Sequence, residues 1–376
     1  MQTRASAMGM CIVSAAMGGL VLLLRHDVQR LETSLNAVET ELSQTRAQAK
    51  ADAVLLDFRF DVMGRGEVFP AMTGSPAGDG GPLARLEITN TAATPVAQFI
   101  EAEIPGWSRP LKQTEIVGPG ETRQVPIQPS LLPAALRNEE IRTERLEVSV
   151  TGVDGSKLFA DSRPILLHGG SDLFWGQAFQ NAQVAARWVT PHDPAVLDLI
   201  SQARQFAPRG RLAGYGSSGT DPESVRRHVR EQAEAVFQAM SGSGISYVNS
   251  LFVMGEHLDR AQRVRLPRET LALKTANCMD VSVAFASAME NLGLQPLLVI
   301  VPGHAYAGVR LNRDGDDVLY LDLTVLPDGS FERAIARARG WRDKTPPERL
   351  LVVDVGAARS LGLYPLVAET SSPSPS

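Results

Sequence analysis

Three residues set the chemical question. Cys278 lies in the stretch KTANCMD, His304 in PGHAYAGVRL and Asp322 in VLYLDLTVL. A thiol, an imidazole and a carboxylate are the parts of a nucleophile, its base and the group that orients the base. The chain has only two cysteines. The other, Cys11, sits in an apolar run, so the pair suggests no disulfide, and a CxxC metal or redox motif is absent. The bland account of the same residues is a buried thiol, a loop histidine and a strand aspartate that never meet.

The elements that must position these groups are legible. Val281, Phe285, Ala288, Met289 and Leu292 form a helical apolar stripe, and Gly293 is a natural stop. Asn277 is then the N-cap and Cys278 stands in the first turn. Free backbone N–H groups and the helix dipole there favour a thiolate and can donate to an oxyanion beside the sulfur. PLLVIV reads as a buried strand and PGHAYAGVRL as a second, entered at His304. NRDGDD reads as a hairpin turn, and VLYLDLTVL as a third strand with Asp322 in its middle. A charged residue in so apolar a strand wants a partner. A histidine on the neighbouring antiparallel strand supplies one after a modest stagger or bulge.

Gln262 is a second candidate oxyanion donor, although AQRVRLP also reads as a loop entering the core. Zinc held by Cys278, His304, Asp322 and His257 is the rival chemistry. No two of these share the short spacing of ligand pairs, so no metal or cofactor is expected. Asp280 and His257 read as a first-turn helix carboxylate and a loop histidine outside the chemistry.

The segment from Gly244 to Val325 resembles the core of the transglutaminase-like superfamily, whose fold is related to papain-like cysteine proteases. The motifs that carry the resemblance are CMD opening a helix, then GL, GHAY and YLDLT. Upstream, GISYVNS followed by QRVRLPRETL has the flavour of the family's lead-in to the cysteine helix. The resemblance implies Cys278 as nucleophile, His304 as general base and acid, and Asp322 as the residue orienting the imidazole. It departs from the pattern at Ala276, Tyr306 and Leu323, which removes no catalytic atom but bears on the acyl pocket.

The rest of the chain supplies context. A net charge of −5 and the lack of a Lys/Arg run exclude a nucleic-acid footprint. Residues 7–24 are uncharged and near the lower length limit for a membrane span. No small-x-small cleavage site follows, so a retained single-pass anchor over residues 1–26 is expected rather than a cleaved signal, with the remainder extracytoplasmic. Val28, Leu31, Leu35, Val38 and Leu42 keep a/d spacing, which predicts a short coiled-coil stalk over 27–54 and a homodimer. A single amphipathic helix packed on the next domain is the alternative.

Residues 55–168 alternate in short apolar runs broken by turn signals, the pattern of an immunoglobulin-like β-sandwich. Asp154 and Asp161 there have turn and edge duty. Helices are expected at 174–189, 194–206 and from Pro222, capped by Asp221, with Trp175 and Trp188 as core anchors. The tail 367–376 reads as disordered. The expectation is therefore an α+β chain with a transglutaminase-like domain over 169–366, a catalytic helix packed on an antiparallel sheet. An anchor, stalk and sandwich precede it. Two functions fit: a membrane-tethered thiol enzyme of acyl transfer on a protein or peptide amide (peptidase, amidase or transglutaminase type), or an inactive binding or scaffold module that keeps the fold.

Overall fold

The computed structural model describes residues 25–47, 55–73, 81–216, 221–248 and 261–366. Residues 25–47 form helix α1, exposed along its whole length, including Leu31, Leu35 and Val38. The expected anchor is corrected here, and with it the single-pass membrane placement. Among the described residues no helix is long and apolar enough to cross a membrane. The two longest, α1 and the helix from Pro222 to Gly242, carry charges on most turns, such as Asp27, Arg30 and Glu32 in the first and Arg226, Arg230 and Glu234 in the second. Hydrocarbon does not tolerate charge at that density. Residues 7–24 themselves, His257 and the tail 367–376 lie outside the described residues.

Eight strands follow: β1 (Leu56–Val62), β2 (Glu67–Val68), β3 (Ala84–Asn90), β4 (Val96–Glu103), β5 (Leu111–Val117), β6 (Thr122–Ile127), β7 (Arg142–Gly152) and β8 (Lys157–Leu167). The short helix α2 (Pro133–Leu136) separates β6 from β7. They make one sheet in the order β1-β3-β6 and another in the order β2-β8-β7-β4-β5. Alternate residues of β3, β4 and β7 turn inward, so Leu86 and Ile88, Ile100 and Ala102, and Leu146, Val148 and Val150 share one core. Asp154 organises the β7–β8 turn by accepting from the Ser156 amide and hydroxyl. Asp161 pairs with Arg163 on β8.

The second half of the chain holds β9 (Asp172–Phe174), α3 (Pro194–Ala203), α4 (Pro222–Gly242), β10 (Ser246–Tyr247), β11 (Ala261–Arg263), α5 (Pro267–Leu273) and β12 (Thr275–Ala276). Then come α6 (Cys278–Asn291), β13 (Pro296–Val301), β14 (His304–Arg310), β15 (Val318–Leu321), α7 (Phe331–Lys344), β16 (Leu351–Asp354) and α8 (Val355–Ser360). The stretch expected as a helix over 174–189 is instead strand β9 and two 3-10 turns, Gln177–Phe179 and Ala182–Trp188. Gly176, Ala178 and Phe179 all have positive φ, which no α-helix accommodates. Trp175 and Trp188 are buried as anchors.

An antiparallel sheet in the order β15-β14-β13-β16 is the frame of this half. Its two faces take different helices. Ala307 and Val309 of β14 pack with Ala284, Phe285 and Ala288 of α6. Tyr306, one pleat away, packs with Val299, Val301 and Ala338 of α7. Phe285 is fully buried, and its truncation to alanine is expected to cost about 3–5 kcal/mol. The β13–β14 hairpin turns in two residues, pairing Val301 with His304, and Gly303 adopts φ +77° to close it. His304 is thereby the first residue of a strand whose neighbours are held on both faces.

Candidate active site

Helix α6 starts where its cap chemistry dictates. The Asn277 side chain accepts from the amides of Met279 at 2.8 Å and Asp280 at 2.9 Å. The Asp280 carboxylate returns the bond, accepting from the Asn277 amide at 3.1 Å. Asp280 also accepts from the Arg265 amide at 2.9 Å and its guanidinium at 3.2 Å. Burial pushes the Asp280 carboxyl upward, while these bonds draw it back. Its role is to fasten the start of α6 to the segment entering α5, not to act on substrate. With the next two amides occupied, the Cys278 amide is the first-turn N–H left for an oxyanion.

Cys278 and His304 are 4% and 6% exposed and Asp322 is fully buried. The Cys278 side chain lies close enough to the imidazole to raise its pKa. His304 Nε2 lies 3.0 Å from Asp322 Oδ2, which leaves Nδ1 as the nitrogen for the sulfur. Burial works against charge on His304, but the bonds to Asp322 and Cys278 outweigh it and raise its pKa to about 9. Asp322 is opposite in sign: burial pushes it up, yet its bonds from His304 and Thr324 hold it at about 2.

Asp322 is not in the middle of a strand. Strand β15 ends at Leu321, and Asp322 caps the 3-10 turn Leu323–Val325. The physical reason is Thr324, whose amide (3.1 Å) and hydroxyl (2.7 Å) both donate to Asp322 Oδ1. The turn breaks the ladder three residues before His304 would find its pairing partner, since the register begins at Ala307 opposite Leu321. That bend swings the carboxylate toward the imidazole.

Two residues not singled out from the sequence complete the carboxylate's shell. Arg337 Nε donates to Asp322 Oδ2 at 3.2 Å and Trp341 Nε1 donates to the same oxygen at 3.1 Å. Both sit on α7, one helical turn apart, so they share a face. The only signal was that i, i+4 spacing, which gives no address across the fold. Tyr247 is a third. The parallel pairing of β10 with β12 sets it against Ala276, two residues before the cysteine. Its phenol is pushed up by burial and by the charges on Cys278 and Asp322, and eased down by Arg337.

Gln262 lies on β11 opposite Leu173 of β9, and its Oε1 accepts from Trp175 Nε1 at 3.2 Å. Among the described residues no hydrogen bond joins it to the triad. Nor does any group of three or more His, Cys, Asp or Glu among the described residues stand ready to hold a metal. Three of the four candidate ligands are instead arranged in series, Cys278 to His304 to Asp322. No protein-family model, curated protein or solved structure compared with this chain matches it.

Proposed function

We propose that this protein is a cysteine-dependent acyl-transfer enzyme acting on an amide or peptide bond, either as a peptidase or amidase or in transglutaminase fashion. The observation that carries the reading is the series Cys278–His304–Asp322, in which the imidazole is bonded to the carboxylate at 3.0 Å and has the sulfur, at a capped helix start, beside it. The resemblance of CMD, GHAY and YLDLT to transglutaminase-like motifs supports it. His304 Nδ1 already holds the proton given up by the Cys278 thiol as sulfur attacks the carbonyl, and the Cys278 amide steadies the oxyanion. The C–N bond then breaks, His304 returns the proton to the departing amine, and a thioester remains. Water or an amine next attacks the thioester, giving up its proton through His304 and releasing the thiol.

Asp322 keeps the imidazole proton on Nε2 throughout and stabilises the imidazolium. A module retained only for binding has no use for a buried carboxylate with five donors converging on it. The test is an unbiased profile of peptides cleaved or cross-linked by the protein and by Cys278→Ala. Identical profiles would sink the enzyme reading.

A further inference from the structure

The triad is sealed, but its surroundings are not. Tyr247 is 40% exposed and the Arg337 side chain 46%. Arg337 uses Nε on Asp322; among the described residues its two Nη groups have no acceptor and the Tyr247 hydroxyl has no partner. Asp322 already receives donors from His304, Thr324 and Trp341, so its satisfaction does not require an arginine. Other arginines near the cysteine helix are committed differently: Arg265 faces Asp280 and Arg268 faces Asp193. Arg337 is a planar fork with one tine anchored beside the Asp322 carboxylate and the others without an acceptor among the described residues.

Resting on the acyl-transfer reading, we propose that Arg337 and Tyr247 form the substrate-selecting lip of this site. The preferred acyl donor then carries a carboxylate close to the carbonyl that Cys278 attacks. A guanidinium fork and a phenol are matched donors for two carboxylate oxygens. Anchoring through Nε holds the fork at low entropic cost. The carboxylate can belong to an acidic side chain or to a chain terminus.

Alkylation of Cys278 in the full-length protein reads this directly. Iodoacetate and iodoacetamide differ by one carboxylate, and the ratio of their rates cancels any change in nucleophilicity. The wild type is expected to favour iodoacetate. Arg337→Gln is expected to lower the ratio about five- to tenfold, Arg337→Lys much less, and Tyr247→Phe about two- to threefold. Tyr247→Phe also covers the case in which Arg337→Gln fails to fold. Glutamyl and glutaminyl vinyl sulfones form the second arm. A preference for the glutamyl reagent assigns the carboxylate to a side chain, and its absence beside an iodoacetate preference assigns it to a terminus. A fast Cys278 whose ratio ignores both Arg337 and Tyr247 overturns the lip alone. A Cys278 no faster than its unfolded control with both reagents removes the acyl-transfer reading and the lip with it.

Discussion

Trp341 covers one face of His304, the two rings lying 4.5 Å apart at 24°, while its indole N–H donates to the Oδ2 of Asp322 that also holds the imidazole. One side chain thus restrains both His304 and Asp322. Trp341→Phe keeps a stacking surface and loses the donor, so kcat/KM is expected to fall only a few-fold. Trp341→Ala frees the ring and is expected to cost about 10- to 100-fold, the scale of misplaced catalytic groups. Equal effects of the two variants, measured with one amide substrate, would show that the stacking does nothing.

Damage within the triad is expected to be graded. Cys278→Ala abolishes turnover with the fold intact, since alanine suits a first helical turn. His304→Ala is nearly as severe. Asp322→Asn costs about 10²- to 10⁴-fold by releasing the imidazole into the wrong tautomer. A silent Asp322→Asn in steady-state kinetics would contradict the assigned roles.

The rate is expected to fall on an alkaline limb near pH 9, where His304 loses the proton it must return to the leaving amine. In Asp322→Asn the chief support of that proton is gone and Cys278 alone is left to oppose burial, so the limb moves down by at least about one unit. An unmoved limb would detach it from His304.

Stability has its own profile. The raised His304 pKa contributes stability in full below its unfolded value of 6.5, lost as pH climbs through about 9. The depressed Asp322 contributes in full above its unfolded 3.8, lost as pH falls toward about 2. The wild type's advantage over the Asp322→Asn variant is therefore expected to peak between about pH 4 and 6.5. Denaturant melts across pH test this, and a flat difference contradicts it.

Asp280 is a poor bystander for activity assays despite reading as one from its first-turn position. It is fully buried and closes the cap of α6 against Arg265. Asp280→Ala is expected to lose about 2–4 kcal/mol of stability, combining a lost cap with a stranded cation. The exposed His192 is the better control, and His192→Ala is expected to leave melting and turnover unchanged.

The a/d residues of α1 are exposed along one stripe. We propose that two copies pair through it, which predicts that Leu31→Glu with Leu35→Glu halves the sedimenting mass. Equal masses would leave the stripe without that partner.

What the sequence revealed was local. The cap at Asn277, the stripe through Phe285 and the hairpin entering His304 all depend on neighbours within a few residues, and all are present. What it hid was set at a distance or by backbone hand. The Thr324 hydroxyl ends β15 early, and positive φ at Ala178 and Phe179 breaks an apparent helical period. Trp175 claims Gln262 from 87 residues away. Arg337 and Trp341 carry no motif, and only the packing of α7 on the sheet aims them. The expected anchor rested on an uncharged run of near-spanning length with no cleavage site after it, whereas among the described residues no helix is long and apolar enough to span.

The short hairpin that delivers His304 has a consequence for how the molecule assembles. His304 and Asp322 are separated by 18 residues, and Arg337 and Trp341 reach back to Asp322 over 15 and 19. Each closure is a small loop with a low entropic toll, whereas the Trp175–Gln262 contact closes a loop of 87. The carboxylate's wiring is therefore expected to form early during folding and to be lost late during unfolding. Pulsed amide exchange would then register protection in β14 and α7 before β9 and β11.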